Sequence, residues 1–231
     1  MDALILAGGR GERLRPLTDD CPKPLLLVGG RPLLDHTIER LRRDAFEHIG
    51  IAVHYQAPKI ENHYAEGRGF GVQIEYIHED KPLGTGGALA LAGPPDEPML
   101  VMNGDLWTDL DFCALEAFHH HHGAALTAAS WDYETHNRYG LLLTDGLNVT
   151  GLREKAGIRS PVLAGIYMLS PICWSFLPKG AFDMTDLVAR LITLGLPVKH
   201  FPMRGYTWED IGTLEDYERV CAMVSREEVA V

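Results

Sequence analysis

A short apolar run, Ala3-Leu4-Ile5-Leu6, passes directly into Ala7-Gly8-Gly9-Arg10-Gly11-Glu12-Arg13-Leu14-Arg15, in which three glycines are interleaved with three arginines. Four consecutive apolar residues without polar alternation read as a strand buried on both faces. A strand ending in glycines brings bare backbone N–H groups to the edge of its sheet, where guanidinium groups can join them around an anion. Further apolar runs at residues 49–53, 72–77, 99–102 and 124–129 read as strands of the same kind. Segments of helical period lie between them. Residues 32–43 put Leu33, Leu34, Thr37, Ile38 and Leu41 on one face, and residues 85–92 and 111–120 give two more helices. This alternation implies right-handed βαβ crossovers and an α/β fold with a mainly parallel sheet covered on both faces.

The second half changes character. Residues 139–143 and 147–153 flank Asp145-Gly146, a hairpin signal, and residues 162–169 and 198–201 read as further strands. Helical patterns return at 184–194 and 214–224. No repeat, low-complexity tract or Gly/Ser linker divides the chain, so one domain over residues 1–231 is expected, with the second half extending the same sheet.

The 231 residues carry 21 Lys+Arg against 32 Asp+Glu, a formal charge of −11, and no basic cluster is longer than Arg42-Arg43. A nucleic-acid backbone is therefore an unsuitable partner, and any bound phosphates are expected to belong to small molecules. No apolar run approaches the roughly 20 residues of a bilayer span. The amino terminus also lacks a basic region ahead of a long apolar one, so a cytoplasmic protein without a membrane partner is expected. Cys21, Cys113, Cys173 and Cys221 form no Cys-x-x-Cys pair, and reduced thiols are expected. His119 to His122, before Gly123, are read as a helix end favouring cations, since consecutive histidines point around a helix rather than at one metal. Trp107, Trp131, Trp174 and Trp208 form no stripe and are expected to pack in the core or a pocket.

The glycine loop matches neither common phosphate motif. Leu14 stands where a dinucleotide fingerprint needs its third glycine, and Gly-Lys-Ser/Thr is absent. Taken alone, a glycine turn with solvated arginines would account for it. Other blocks follow in order: Pro22-Lys23-Pro24, Pro82-Leu83-Gly84-Thr85-Gly86-Gly87-Ala88, Asn103-Gly104-Asp105, Tyr139-Gly140, Glu154-Lys155, Ala164-Gly165-Ile166-Tyr167 and Trp208-Glu209-Asp210-Ile211-Gly212-Thr213. With the loop from Gly8 to Leu14, this ordered set resembles the sugar-1-phosphate nucleotidyltransferases over nearly the whole chain. The resemblance implies the Rossmann-like three-layer sandwich of the nucleotide-diphospho-sugar transferase fold, with a mainly parallel mixed sheet. It also implies transfer of a nucleotidyl group from a nucleoside triphosphate to a sugar 1-phosphate, with a catalytically silent nucleotide-sugar-binding regulatory subunit as the alternative. No appended carboxyl-terminal β-helix is expected after the last helix.

Residue roles follow from the resemblance. Arg13 is implied near the leaving pyrophosphate and Lys23 at the phosphates, with Leu6, Ala7, Gly8, Gly9, Gly11, Glu12, Glu79, Gly84, Thr85 and Asn103 around the nucleotide. Asp105 ends a buried strand, at the carboxyl edge where open α/β sheets bind ligands, and with Asp210 it is implied to hold Mg²⁺. Lys155 is implied as the cation for the sugar phosphate. Glu154 and Gly140 are implied at the sugar hydroxyls, with Tyr139, Ala164 and Gly165 on the same side. Arg13, Lys23, Asp105 and Lys155 form the expected catalytic set. The departures are Glu12 for the usual Thr, Leu163 for the usual Asn and Ala156 for the usual Pro, and the last two bear on the sugar. Glu79 lies where related enzymes read the base. A carboxylate only accepts hydrogen bonds, which suits the N1–H and N2–H₂ edge of guanine and makes GTP the expected donor, with UTP and dTTP as alternatives. No apolar seam indicates an oligomer, and a homo-oligomer stays open.

Overall fold

The structure is a computed structural model and describes residues 2–136, 139–154 and 157–229. In chain order, its strands are β1 (Ala3–Leu6), β2 (Leu27–Val28), β3 (Arg31–Pro32), β4 (His48–Val53), β5 (Gln73–His78), β6 (Met99–Asn103), β7 (Leu106–Thr108), β8 (Leu126–His136), β9 (Leu141–Asp145), β10 (Asn148–Arg153), β11 (Gly157–Leu169), β12 (Val198–Pro202) and β13 (Trp208–Asp210). The helices are α1 (Leu33–Arg43), α2 (Ala57–Tyr64), α3 (Gly87–Ala92), α4 (Phe112–His121), α5 (Met184–Thr193) and α6 (Leu214–Val229).

Seven strands form the central sheet in the order β12-β8-β11-β6-β1-β4-β5. β11 runs antiparallel to β6 and β8, and the remaining pairings are parallel, so the sheet is mixed and mainly parallel as expected. One face is covered by α1, α2 and α4 through Leu34, Ile38, Ile60, Tyr64, Phe112 and Leu115. The other is covered by α3 and α5 through Ala88, Leu89, Met184, Leu187 and Leu191. A third, smaller apolar cluster gathers Leu14 from the glycine loop, Leu26, Val28, Leu33, Ile211, and Val220 and Val224 of α6.

The reading of the second half needs correction. Strands β8, β11 and β12 do extend the central sheet, but β9 and β10 pair only with each other as a separate ribbon. The hairpin expected around Asp145-Gly146 is present in that ribbon, and Leu142 and Leu143 on it are exposed. Helix α2 was not anticipated. It is eight residues long and starts after Gln56 at φ 52 with no capping side chain, so Pro58 in its first turn is the one usual start signal it carries.

The histidine run closes α4 as expected, but its first member is not a cation at the helix end. His119 to His121 lie inside the last turn of α4, and His119 is buried with both ring nitrogens engaged. The Ser170 hydroxyl donates to the Ala124 carbonyl at 2.8 Å, so it accepts from His119 Nε2 at 2.9 Å. His119 Nδ1 then accepts from the Thr127 hydroxyl at 2.9 Å. Burial pulls the imidazole pKa down to about 4. The unfolded chain binds this proton below about pH 6.5, whereas the folded chain resists it until about 4. Stability is expected to fall by about 3 kcal/mol as pH drops through that window. Urea midpoints at pH 7 and pH 4.5 should converge in a His119→Gln variant, and an unchanged acid dependence would assign the loss to other groups.

Candidate active site

The site grows from the carboxyl edge of the central sheet. β1 and β6 lie side by side there, with Leu6 opposite Asn103, and both run into glycines. Close packing explains Gly104, since a Cβ there would sit 3.0 Å from the Leu6 carbonyl oxygen. Gly11 takes the left-handed conformation at φ 62, which returns the loop so that the Thr18 hydroxyl can donate to its carbonyl at 2.8 Å.

Lys23 is held in a 3-10 turn between Pro22 and Pro24, and the residue is only 9% exposed. A cation buried to that degree needs a partner. It has one in Asp105, whose Oδ2 lies 2.5 Å from Lys23 Nζ. Asp105 Oδ1 is buried with no hydrogen-bond partner among the described residues.

Asp210 arrives at the same edge although it is about a hundred residues away in sequence. The short ladder β7–β13 pairs Asp210 with Leu106, and Ile211 N–H donates to the Asp105 carbonyl at 3.1 Å. The Asp210 carboxyl is pushed above the ordinary range, first by partial burial and then by the charge of Asp105, against the pull of Lys23 and Arg13. Arg13 lies over Gly212, where a Cβ would come within 3.3 Å of its guanidinium. An orphaned carboxylate oxygen beside a second carboxylate raised by its neighbour's charge suits a hard divalent cation, which would satisfy both.

A cavity of about 290 Å³ opens beside these groups. Of the residues expected at the nucleotide, Leu6, Ala7, Gly8, Gly9, Lys23, Glu79, Gly84, Thr85 and Asn103 line it, together with Asp105. Gly11, Glu12 and Arg13 are not part of the lining. Glu12 and Arg13 are exposed, so the acid that replaces the usual Thr is turned to solvent. Glu79 projects into the cavity against Gly8, where a Cβ would be 2.8 Å from its Oε2, and its Oε1 is buried without a partner among the described residues. Burial raises the Glu79 carboxyl, with His54 opposing.

The sugar-side residues are less gathered. Ala164 is buried, and Gly165, at φ 72, packs on Asn103 within a break in the β8–β11 register. Tyr139, Gly140 and Glu154 are exposed and do not line the cavity. Lys155, like Ala156, lies outside the described residues. Trp131 and Trp208 pack together with ring centroids 5.9 Å apart, and Trp208 Nε1 donates to the Ala164 carbonyl at 2.8 Å.

One lining residue escaped the sequence reading. Asp183 accepts from both the backbone N–H and the hydroxyl of Thr85, at 2.9 and 3.2 Å. Its signal was present as an Asp three residues before Asp186 at the start of a helical pattern, the spacing of a capping pair.

A nucleotide-sized cavity at the carboxyl edge of a mainly parallel sheet, with a glycine loop on one side and clustered carboxylates on the other, is the binding arrangement of an open α/β enzyme fold. The chain belongs to the nucleotidyl transferase family, which it matches over residues 2–227. It is 32% identical over 250 residues to a UTP–glucose-1-phosphate uridylyltransferase of Synechocystis sp., covering 98% of this chain and 64% of that one. It is 32% identical over 234 residues to a mannose-1-phosphate guanylyltransferase of Mycobacterium tuberculosis, covering 98% and 65%. The chain thus spans just under two thirds of the length of these curated relatives. Among solved structures, one described as a glucose-1-phosphate thymidylyltransferase from Bacillus anthracis, in complex with sucrose, superposes with a TM-score of 0.80 at 25% identity, covering 97% of this chain and 95% of that one. Among the described residues, no helix is long and apolar enough to cross a membrane.

Proposed function

We propose that this chain transfers a nucleotidyl group from a nucleoside triphosphate to a sugar 1-phosphate, with release of pyrophosphate. The observation that carries this reading is the pairing of buried Lys23 with half-buried Asp105 in the wall of the cavity, with Asp210 outside the lining but close enough to feel the charge of Asp105. A sugar-phosphate oxygen attacks the α-phosphorus; the new O–P bond forms as the bond to the pyrophosphate oxygen breaks. The attacking oxygen is already ionised, so the protein has no need of a general base. Its work is positioning and charge neutralisation.

In this reading, the backbone N–H groups of Gly8 and Gly9 receive the triphosphate, and Lys23 and Arg13 offset its charge. Asp105 and Asp210 would hold a divalent cation, Mg²⁺ by the chemistry of the pair, which supplies further neutralisation of the phosphates. Lys155 is the cation assigned to the sugar phosphate. Glu154, Tyr139 and Gly140 belong to the sugar side.

GTP is the favoured donor. Glu79 lines the cavity, its buried Oε1 has no partner among the described residues, and guanine offers two adjacent donors to a carboxylate. Similarity to relatives named for UTP and for mannose-1-phosphate guanylyl transfer keeps UTP as the competing donor.

Pyrophosphate release with Mg²⁺ across GTP, UTP, dTTP, ATP and CTP, each against mannose-, glucose-, glucosamine-, heptose- and muramate-type sugar 1-phosphates, tests both statements. Turnover confined to GTP supports the whole reading, and turnover confined to UTP or dTTP keeps the chemistry while rejecting the role of Glu79. A nucleotide that binds by calorimetry but is never turned over, with or without the metal, would overturn the reaction.

A further inference from the structure

The wall of the nucleotide cavity is built from two segments almost a hundred residues apart. Leu83, Gly84 and Thr85 supply one part, and Asp183 supplies another. The two are laid directly on each other. Phe182 N–H donates to the Leu83 carbonyl at 2.8 Å, and Gly86 N–H donates to the Phe182 carbonyl at 2.9 Å. No side chain fits between them, since a Cβ on Gly84 would lie 2.4 Å from the Phe182 carbonyl oxygen and one on Gly86 would lie 2.2 Å from the Phe182 ring.

At the centre of this seam, the Asp183 carboxylate holds Thr85 twice through one oxygen. The Thr85 hydroxyl in turn accepts from Met184 N–H at 2.9 Å, and so satisfies the first free donor of α5 from outside the helix. Capping of α5 does not depend on this link alone, because Asp186 accepts from Asp183 N–H at 2.9 Å. Asp183 and Asp186 form a reciprocal capping pair, so Asp183 serves both the helix start and the cavity wall, whereas Asp186 serves the helix start alone.

We infer that Asp183 is a positioning residue for nucleotide binding: through Thr85 it fixes the segment from Glu79 to Gly86, which forms the nucleobase side of the cavity. This rests on the proposed reading of that cavity as a nucleoside triphosphate site. Two hydrogen bonds to an ionised acceptor fix that wall before the nucleotide arrives, so their loss appears as weaker binding rather than as slower chemistry.

The test compares Asp183→Ala, Asp183→Asn, Thr85→Val, the Asp183→Ala/Thr85→Val pair and Asp186→Asn, with wild-type turnover established first. Asp183→Ala is expected to raise the KM for the nucleoside triphosphate roughly tenfold. It should leave kcat and the KM for sugar 1-phosphate within about threefold of wild type. Asp183→Asn, which keeps an acceptor oxygen, should restore most of the loss. The double variant should be little worse than either single one, the signature of a shared interaction. Asp186→Asn, which touches only the helix start, should lower the melting temperature without moving KM for the nucleotide.

A rise confined to the KM for sugar 1-phosphate would make Asp183 a sugar ligand and overturn the inference, as would strictly additive losses in the double variant. If Asp183→Ala does not fold, Thr85→Val carries the test, because its backbone N–H bond to Asp183 remains. If the wild type shows no transfer at all, nucleotide dissociation constants from calorimetry replace KM. In that event the reaction assignment fails, while the role of Asp183 still stands or falls on the affinity change.

Discussion

Replacing Asp105 with asparagine is expected to lower kcat by about 10²- to 10³-fold while leaving the fold intact. The substitution keeps the shape of the side chain but removes the charge that neutralises Lys23 Nζ, 2.5 Å away. Lys23 is nearly buried, so the uncompensated ammonium must then find water or swing from its place between the two prolines. The same change removes one of two carboxylates whose charges interact at the end of the β7–β13 ladder. It should also return the Asp210 carboxyl toward its ordinary range, because Asp105's charge helps to raise it. Steady-state pyrophosphate release, with the thermal melt recorded in parallel, checks this. Turnover within about fivefold of wild type would take Asp105 out of the mechanism.

Glu79→Gln is expected to shift the kcat/KM ratio of GTP to UTP by roughly a hundredfold toward UTP, because a site built from buried polar groups discriminates steeply against a base that leaves them unpaired. The amide exchanges one acceptor for a donor, so it matches the N3–H and carbonyl pair of uracil in place of the two donors of guanine. Acidity should mimic part of this change. Burial holds the Glu79 carboxyl above its ordinary value, so a falling pH protonates it early and weakens the preference for GTP. That pH dependence should disappear in the glutamine variant. Competition between GTP and UTP at a fixed sugar 1-phosphate, at two pH values, reads both effects, and an unchanged ratio would move base recognition elsewhere in the cavity.

What could be read from the chain beforehand follows the range of the forces involved. α1 was legible because its period places Leu33, Leu34, Thr37, Ile38 and Leu41 on one stripe, and all five are buried. Lys23 and Asp105 were legible through their motifs, and the structure joins them directly. α2 was not, since it is short, follows a residue at positive φ with no capping side chain, and is held mainly by packing of Ile60 and Tyr64 on the sheet. The ribbon β9–β10 was legible as a hairpin from Asp145-Gly146, but its separation from the central sheet was not. Asp183 was hidden because its partner, Thr85, is 98 positions away, and no spacing rule links residues across such a distance.

The small apolar cluster beneath the site gives the molecule two unequal thresholds. The central sheet is secured by extensive cores on both faces, whereas the glycine loop, the Lys23 turn and the segment after Asp210 share one anchorage in Leu14, Leu26, Ile211, Val220 and Val224. Local opening requires far less free energy where few apolar groups separate from one another. Detachment of α6 is therefore expected to loosen Arg13, Lys23 and Asp210 together while the strands stay paired.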